Sequence, residues 1–136
     1  MKKFNLITGV AGFVGFSVCL KLLKKGHNII GIDNINSYYD VVIKKKRLSI
    51  LKKYSNFKFL KIDLIDFKKI KYNLSLYSIK KVFHFAAQAG VRHSINYPEE
   101  YVSNNLVATH NLLEFCRKKK IKRLVFASSS SVYGKP

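Results

Sequence analysis

Short apolar runs alternate along this chain with longer stretches in which apolar residues recur every three or four positions. Phe4 to Thr8, Asn28 to Ile32, Phe57 to Ile62, Val82 to Ala86 and Arg123 to Ala127 are the short runs, and they predict five strands. The second is almost unbroken in apolar residues, as in a strand covered on both faces. Phe13 to Lys25 predicts a helix, with Val14, Val18 and Leu22 at four-residue spacing and Gly26 placed to cap its end. Tyr38 to Tyr54 is expected to be helical in its second half, and Phe67 to Tyr77 only weakly so. The longest helix should start at Pro98, which loses no needed hydrogen bond there, with Glu99 and Glu100 facing the positive helix end. Tyr101, Val102, Leu106, Thr109, Leu112, Leu113 and Cys116 form its expected core-facing stripe. Strand and helix in alternation predict an α/β fold, a doubly wound parallel sheet of the Rossmann type that stops after the fifth strand.

Between the first strand and first helix stands Thr8-Gly9-Val10-Ala11-Gly12-Phe13-Val14-Gly15. Glycines let such a turn bend sharply, let backbone approach a pyrophosphate, and let helix pack on strand. The helix start then offers free N–H groups and a positive dipole end to phosphates. A glycine turn alone would be weak evidence. Asp33, 18 residues after Gly15 and at the end of the second strand, makes it strong. A carboxylate there accepts hydrogen bonds from the adenosine ribose and repels a 2′-phosphate, which favours NAD over NADP. No arginine adjoins it in the sequence.

Composition removes several alternatives. The net charge of +19 raises the possibility of nucleic-acid binding, through clusters such as Lys44-Lys45-Lys46-Arg47 and Arg117-Lys118-Lys119-Lys120. The basic residues follow no single face, however, and the chain is rich throughout in Lys, Ile, Asn and Tyr, all encoded by AT-rich codons. A solvated basic surface, with no nucleic-acid partner, is the better reading. Met1-Lys2-Lys3 before an apolar run has the outline of a secretory signal, but the spaced glycines and the strand that follows do not fit one. No apolar stretch is long enough to span a membrane. Cys19 and Cys116 lack metal or redox spacing and read as reduced core residues of a cytoplasmic protein. His27, His84, His93 and His110 are scattered, so no metal site is expected.

The Gly-x-x-Gly-x-x-Gly spacing, introduced by Thr8, resembles the extended short-chain dehydrogenase/reductase family of NAD-dependent sugar-nucleotide epimerases and dehydratases. Phe57-Lys58-Phe59-Leu60-Lys61-Ile62-Asp63-Leu64, His84-Phe85-Ala86-Ala87-Gln88-Ala89 and Ala127-Ser128-Ser129-Ser130-Ser131-Val132-Tyr133-Gly134 resemble three further family segments. Within the family, Asp33-Asn34-Ile35-Asn36-Ser37-Tyr38-Tyr39-Asp40 and Gln88-Ala89-Gly90-Val91-Arg92 are similar to the UDP-glucuronate 4-epimerase branch. The UDP-glucose 4-epimerases and dTDP-glucose 4,6-dehydratases are the alternatives, and a non-catalytic NAD-binding module is a third.

The resemblance implies a cofactor site position by position. Gly9, Gly12, Phe13 and Val14, with Gly15, would line the pyrophosphate, Asp33 and Asn34 the ribose, and Asp63 and Leu64 the adenine. Phe85, Ala86, Ala87 and Gln88 would follow the cofactor across the crevice, with Asn105 and Ser128 near it. The lesser alternative for Asn105 is a polar residue on an exposed helix face. For Arg92, a contact to the substrate carboxylate or phosphate and a surface ion pair stand level; Ser129 is expected to hydrogen-bond the reacting sugar oxygen, with Ser130 as a substrate neighbour. The implied reaction on a UDP-sugar is a transient oxidation at C4, rotation of the 4-keto sugar, and reduction from the other face. The family base is a tyrosine with a lysine four residues on, and no Tyr-x-x-x-Lys follows the fifth strand here. Residues 1–136 are therefore expected to be an incomplete NAD-binding domain without the sugar-binding region, inactive alone and poorly soluble, from an enzyme that is a homodimer at full length.

Overall fold

The computed structural model describes residues 2–134, apart from the side chain of Ser130. Five strands, β1 (Lys3–Thr8), β2 (Ile29–Asp33), β3 (Phe57–Lys61), β4 (Ser78–His84) and β5 (Leu124–Phe126), form one sheet in the order β3-β2-β1-β4-β5. Every pairing is parallel. The order reverses direction beside β1, between the crossover that leads to β2 and the one that leads to β4, and such a switch opens a crevice at the carboxyl ends of the strands.

Helices α1 (Phe13–Lys24) and α2 (Val41–Leu51) pack together, and Ile7, Val10, Cys19, Leu23, Leu48 and Leu51 are buried in the core they share with the sheet. A second core holds Leu6, Ile30, Ile70, Leu74, Val82, Leu112 and Phe115, which brings in α3 (Phe67–Leu74) and α6 (Ala108–Lys118). Gly26, at φ +78°, ends α1 as expected: its amide and that of His27 reach back to the carbonyls of Leu23 and Leu22. Asp40 caps α2 by accepting from Val42 N, and Asp66 caps α3 by accepting from Lys69 N.

Three expectations are corrected. α3 is a definite helix, because the Asp66 cap and the burial of Ile70 and Leu74 outweigh its weak intrinsic preference. β4 begins at Ser78 rather than Val82, since Lys3 and Phe4 of β1 pair with Ser78 and Ile79. The long helix starts at Pro98 as expected, with Glu99 and Glu100 in its first turn, but it runs as α5 (Pro98–Tyr101), a π-helical stretch (Val102–Val107) and then α6, and a short unforeseen helix α4 (Val91–Asn96) precedes it. The wider π turn breaks the 3.6-residue register. Of the expected stripe, only Leu112 and Cys116 are buried, joined by Ala108 and Phe115, while Val102, Leu106 and Leu113 are exposed.

Candidate functional site

A cleft of about 690 Å³ lies at the carboxyl ends of β1, β2 and β4, within the usual size range of small-molecule sites. Its floor is the turn from β1 into α1. Gly9 has φ +67°, and a Cβ there would lie 2.7 Å from the amide nitrogen of Ala86, so only glycine lets the turn pass beneath the segment after β4. A Cβ on Gly15 would strike the Gly9 carbonyl, which fixes how closely α1 sits over the turn. Gly12 is the N-cap of α1 and supplies no side-chain cap, so among the described residues the first-turn amides of Phe13, Val14 and Gly15, which line the cleft, have no hydrogen-bond partner. Phe13 and Val14, both exposed, complete this wall.

Asp33 ends β2 and is buried. Its Oδ2 accepts from Ala11 N at 3.0 Å, and Oδ1 accepts from Ile35 N at 2.9 Å. Asn34 donates through Nδ2 to Asp63 Oδ2 at 3.0 Å, while Asp63 Oδ1 accepts from Ile65 N at 2.9 Å. Acid, loop and neighbouring strand are thus tied together, and each carboxylate oxygen keeps a lone pair for a ligand donor.

Across the cleft, Asn105 of the π-helical stretch holds the segment after β4. Its Oδ1 accepts from Gln88 N at 2.7 Å and its Nδ2 donates to Gln88 O at 3.0 Å. Asn105 is thus tied to Gln88, which lines the cleft, and is half-buried rather than on an exposed helix face. Gln88 is itself buried, and its Nε2 has no hydrogen-bond partner among the described residues. At the root of this segment, Thr8 and the buried His84 are hydrogen-bonded, and burial pushes the His84 imidazole down to about 4.

Gly9, Gly12, Phe13, Val14, Gly15, Asp33, Asn34, Asp63, Leu64, Phe85, Ala86, Ala87 and Gln88 all line this one cleft. Arg92, Asn105, Ser128 and Ser129 are not among its lining residues. Arg92 is exposed on α4. Ser128 and Ser129 are exposed beyond β5, where Ser129 Oγ bonds Ser131 Oγ at 2.7 Å, and the Ser130 side chain lies outside the described residues.

Several further lining residues were not expected, two of them basic. The sequence places Lys44 in a solvated basic cluster, yet it is only 6% exposed, and its Nζ donates to Asn36 O at 2.8 Å and Asn36 Oδ1 at 2.6 Å. Burial lowers its ammonium below the ordinary lysine value, and the Asp33 carboxylate opposes that shift. Arg47 donates through Nη1 to Ala11 O at 3.1 Å and lies over the Phe13 ring. The signal was present: Lys44, Leu48 and Leu51 share the buried face of α2, so a lysine occupies a core-facing position. Tyr38, Tyr39 and Asn36 line the cleft as well. Among the described residues no group of three His, Cys, Asp or Glu could hold a metal ion, and no helix is long and apolar enough to cross a membrane.

Residues 6–136 match the family described as GDP-mannose 4,6 dehydratase. A UDP-glucuronate 4-epimerase of Thermodesulfobacterium geofontis is 48% identical over 130 residues, covering 96% of this chain and 40% of the relative. Among solved structures, the UDP-glucuronic acid 4-epimerase of Bacillus cereus, in complex with UDP-glucuronic acid and NAD, superposes with a TM-score of 0.82 at 34% identity over 98% of this chain and 42% of that one. The UDP-Glc/GlcNAc 4-epimerase of Campylobacter jejuni gives 0.84 at 34% identity over 100% and 40%. The chain thus spans about 40% of the length of the relatives it matches. With this family match, the parallel five-stranded order and the glycine turn paired with Asp33, the chain belongs to the GDP-mannose 4,6-dehydratase family, a group of epimerases and dehydratases within the extended short-chain dehydrogenases/reductases.

Proposed function

We propose that this chain is the NAD-binding part of a nucleotide-sugar 4-epimerase that interconverts UDP-glucuronate and UDP-galacturonate. The observation that carries the reading is the convergence of the uncapped α1 start, the glycine turn and Asp33 on one cleft. These groups fit NAD. First-turn amides suit the pyrophosphate, and the Asp33 carboxylate suits two ribose hydroxyls. Asn34, Asp63 and Leu64 would bound the adenine, and Phe85 to Gln88 the nicotinamide half. When bound, NAD supplies a reversible two-electron acceptor for the sugar C4–H. The chain's own residues hold and orient the reactants for that exchange, with Asn105 and Thr8 keeping the Phe85–Gln88 segment in place.

Ala127 N donates to His84 O at 3.2 Å, so the serines that follow start one strand over from the cleft. That position supports Ser129 as the hydroxyl that meets the sugar oxygen, with Ser128 and Ser130 beside it and Arg92 as a contact to the substrate's acidic groups. UDP-glucose or UDP-N-acetylglucosamine is the second reading for the substrate, because the Campylobacter jejuni enzyme superposes equally well. The buried, free Cys19 and Cys116 suit a reducing, cytoplasmic setting.

Calorimetric titration of the chain with NAD tests the binding reading, and proton NMR of UDP-glucuronate incubated with chain and NAD tests turnover. Saturable NAD binding without epimerisation is expected, since no Tyr-x-x-x-Lys follows β5 in this sequence. Absence of NAD binding by the folded chain would overturn the first part; galacturonate formation would overturn the second.

A further inference from the structure

Ala11 is gripped from both sides. Its amide donates to Asp33 Oδ2 at 3.0 Å, and its carbonyl accepts from Arg47 Nη1 at 3.1 Å. One residue therefore separates the acid at the end of β2 from a guanidinium carried by α2. Lys44, one turn earlier on the same helix, is bound to Asn36 in the turn that follows Asp33. All three side chains line the same cleft. Arg47 and Lys44 have no ion-pair partner among the described residues, and the remaining N–H groups of Arg47 have no acceptor there. The other acids of the cleft are already engaged, Asp40 by Val42 N and Asp63 by Asn34 and Ile65 N.

A ribose 2′-hydroxyl held by Asp33 would be presented toward this pair of cations. A planar arginine fork and an ammonium are the groups that recognise a phosphate ester. We propose that Arg47 and Lys44 form a latent subsite for a 2′-phosphate, so that preference for NAD over NADP rests on the single charge of Asp33. This inference builds on the dinucleotide reading of the cleft. It also adds to what the sequence implied, because α2 brings an arginine, absent beside Asp33 in sequence, to the Ala11 that Asp33 holds.

The test compares dissociation constants for NAD and NADP in the wild-type chain, Asp33→Asn, Arg47→Ala and the double variant, each checked for folding by thermal melting. The ratio of the two constants is the readout, because damage to the glycine turn weakens both ligands alike and cancels. Asp33→Asn is expected to shift the ratio toward NADP by about tenfold or more, with NADP binding that weakens steeply as salt rises. Adding Arg47→Ala should remove most of that shift, and adding Lys44→Met to Asp33→Asn should remove part of it. An unchanged ratio in Asp33→Asn, or a shift that survives both removals, would overturn the subsite while leaving NAD binding intact. A folded wild-type chain that binds neither dinucleotide would instead overturn the reading on which the subsite rests.

Discussion

Thr8 Oγ1 and His84 Nδ1 lie 2.7 Å apart at the tips of β1 and β4, the two strands that flank the switch in sheet order. The same Thr8 oxygen accepts from the amides of Phe85 and Ala86, each at 3.2 Å. With its acceptor sites taken, the hydroxyl donates its own proton to Nδ1. His84 Nε2, 2.9 Å from Thr109 Oγ1, then carries the ring proton and donates it. The network specifies a neutral imidazole in one tautomer and fixes where the cleft-lining segment leaves β4.

Stability should depend on pH through this histidine. Burial sets the folded value at about 4 against an ordinary 6.5. The unfolded chain therefore takes up the proton first as pH falls. The contribution is complete above pH 6.5 and is lost progressively as pH falls toward 4, by on the order of 3 kcal/mol in total. Urea midpoints measured across that window should rise with pH, and His84→Gln should flatten this part of the curve. An equally steep curve in the variant would remove His84 as the cause.

Gly15 and Gly9 should tolerate no side chain. A methyl on Gly15 meets the Gly9 carbonyl, a backbone atom that cannot step aside without opening the turn. Gly15→Ala is expected to cost about 3 kcal/mol or more, near the upper end for single substitutions. Gly26→Ala, where nothing lies within 4 Å, should cost only the strain of its positive φ, roughly 1 kcal/mol. Chemical denaturation of the two variants should show that order, and equal losses would refute the steric account of Gly15.

Asn105 is predicted to act on ligand binding without touching the ligand. Asn105→Ala leaves both the amide and the carbonyl of Gln88 unpaired, at about 1–3 kcal/mol for each group that stays buried. NAD affinity should fall, and Asn105→Asp, which still accepts from Gln88 N but cannot donate, should fall between wild type and alanine. Identical NAD constants in all three proteins would show that the clamp is irrelevant to the cleft.

Cys19 and Cys116 should resist thiol reagents while the chain is folded. Burial pushes their thiols up to about 12 and about 11, so almost no thiolate is present at pH 8. Labelling should proceed at the rate of unfolding and accelerate sharply in urea. Rapid labelling of either cysteine in the native chain would contradict this packing.

Much of the fold was legible because βαβ units announce themselves locally. The strand runs, the helix after the glycine turn and the Gly26 cap are all fixed by residues within a few positions of one another. Asp33 was legible because its distance from the turn is set by one helix. The π-helical stretch was not, since nothing within Val102–Val107 marks a wider turn, and its visible partner, Gln88, lies 17 residues away in sequence. Arg47 was hidden for a similar reason: its bond to Ala11 spans 36 residues and depends on α1 and α2 packing together. Lys44 was legible in principle, as a lysine at a core-facing position of α2, but a run of four basic residues masked it.

The most direct test of the account is an amide NMR titration of the labelled chain with NAD. Shifts should concentrate at Gly9 to Gly15, Asp33 and Asn34, Asp63 and Leu64, and Phe85 to Gln88, and should saturate with one equivalent. No saturable shifts, or shifts confined to the opposite end of the sheet around Lys3, His27, Lys80 and Lys81, would contradict the assignment of this cleft as the dinucleotide site.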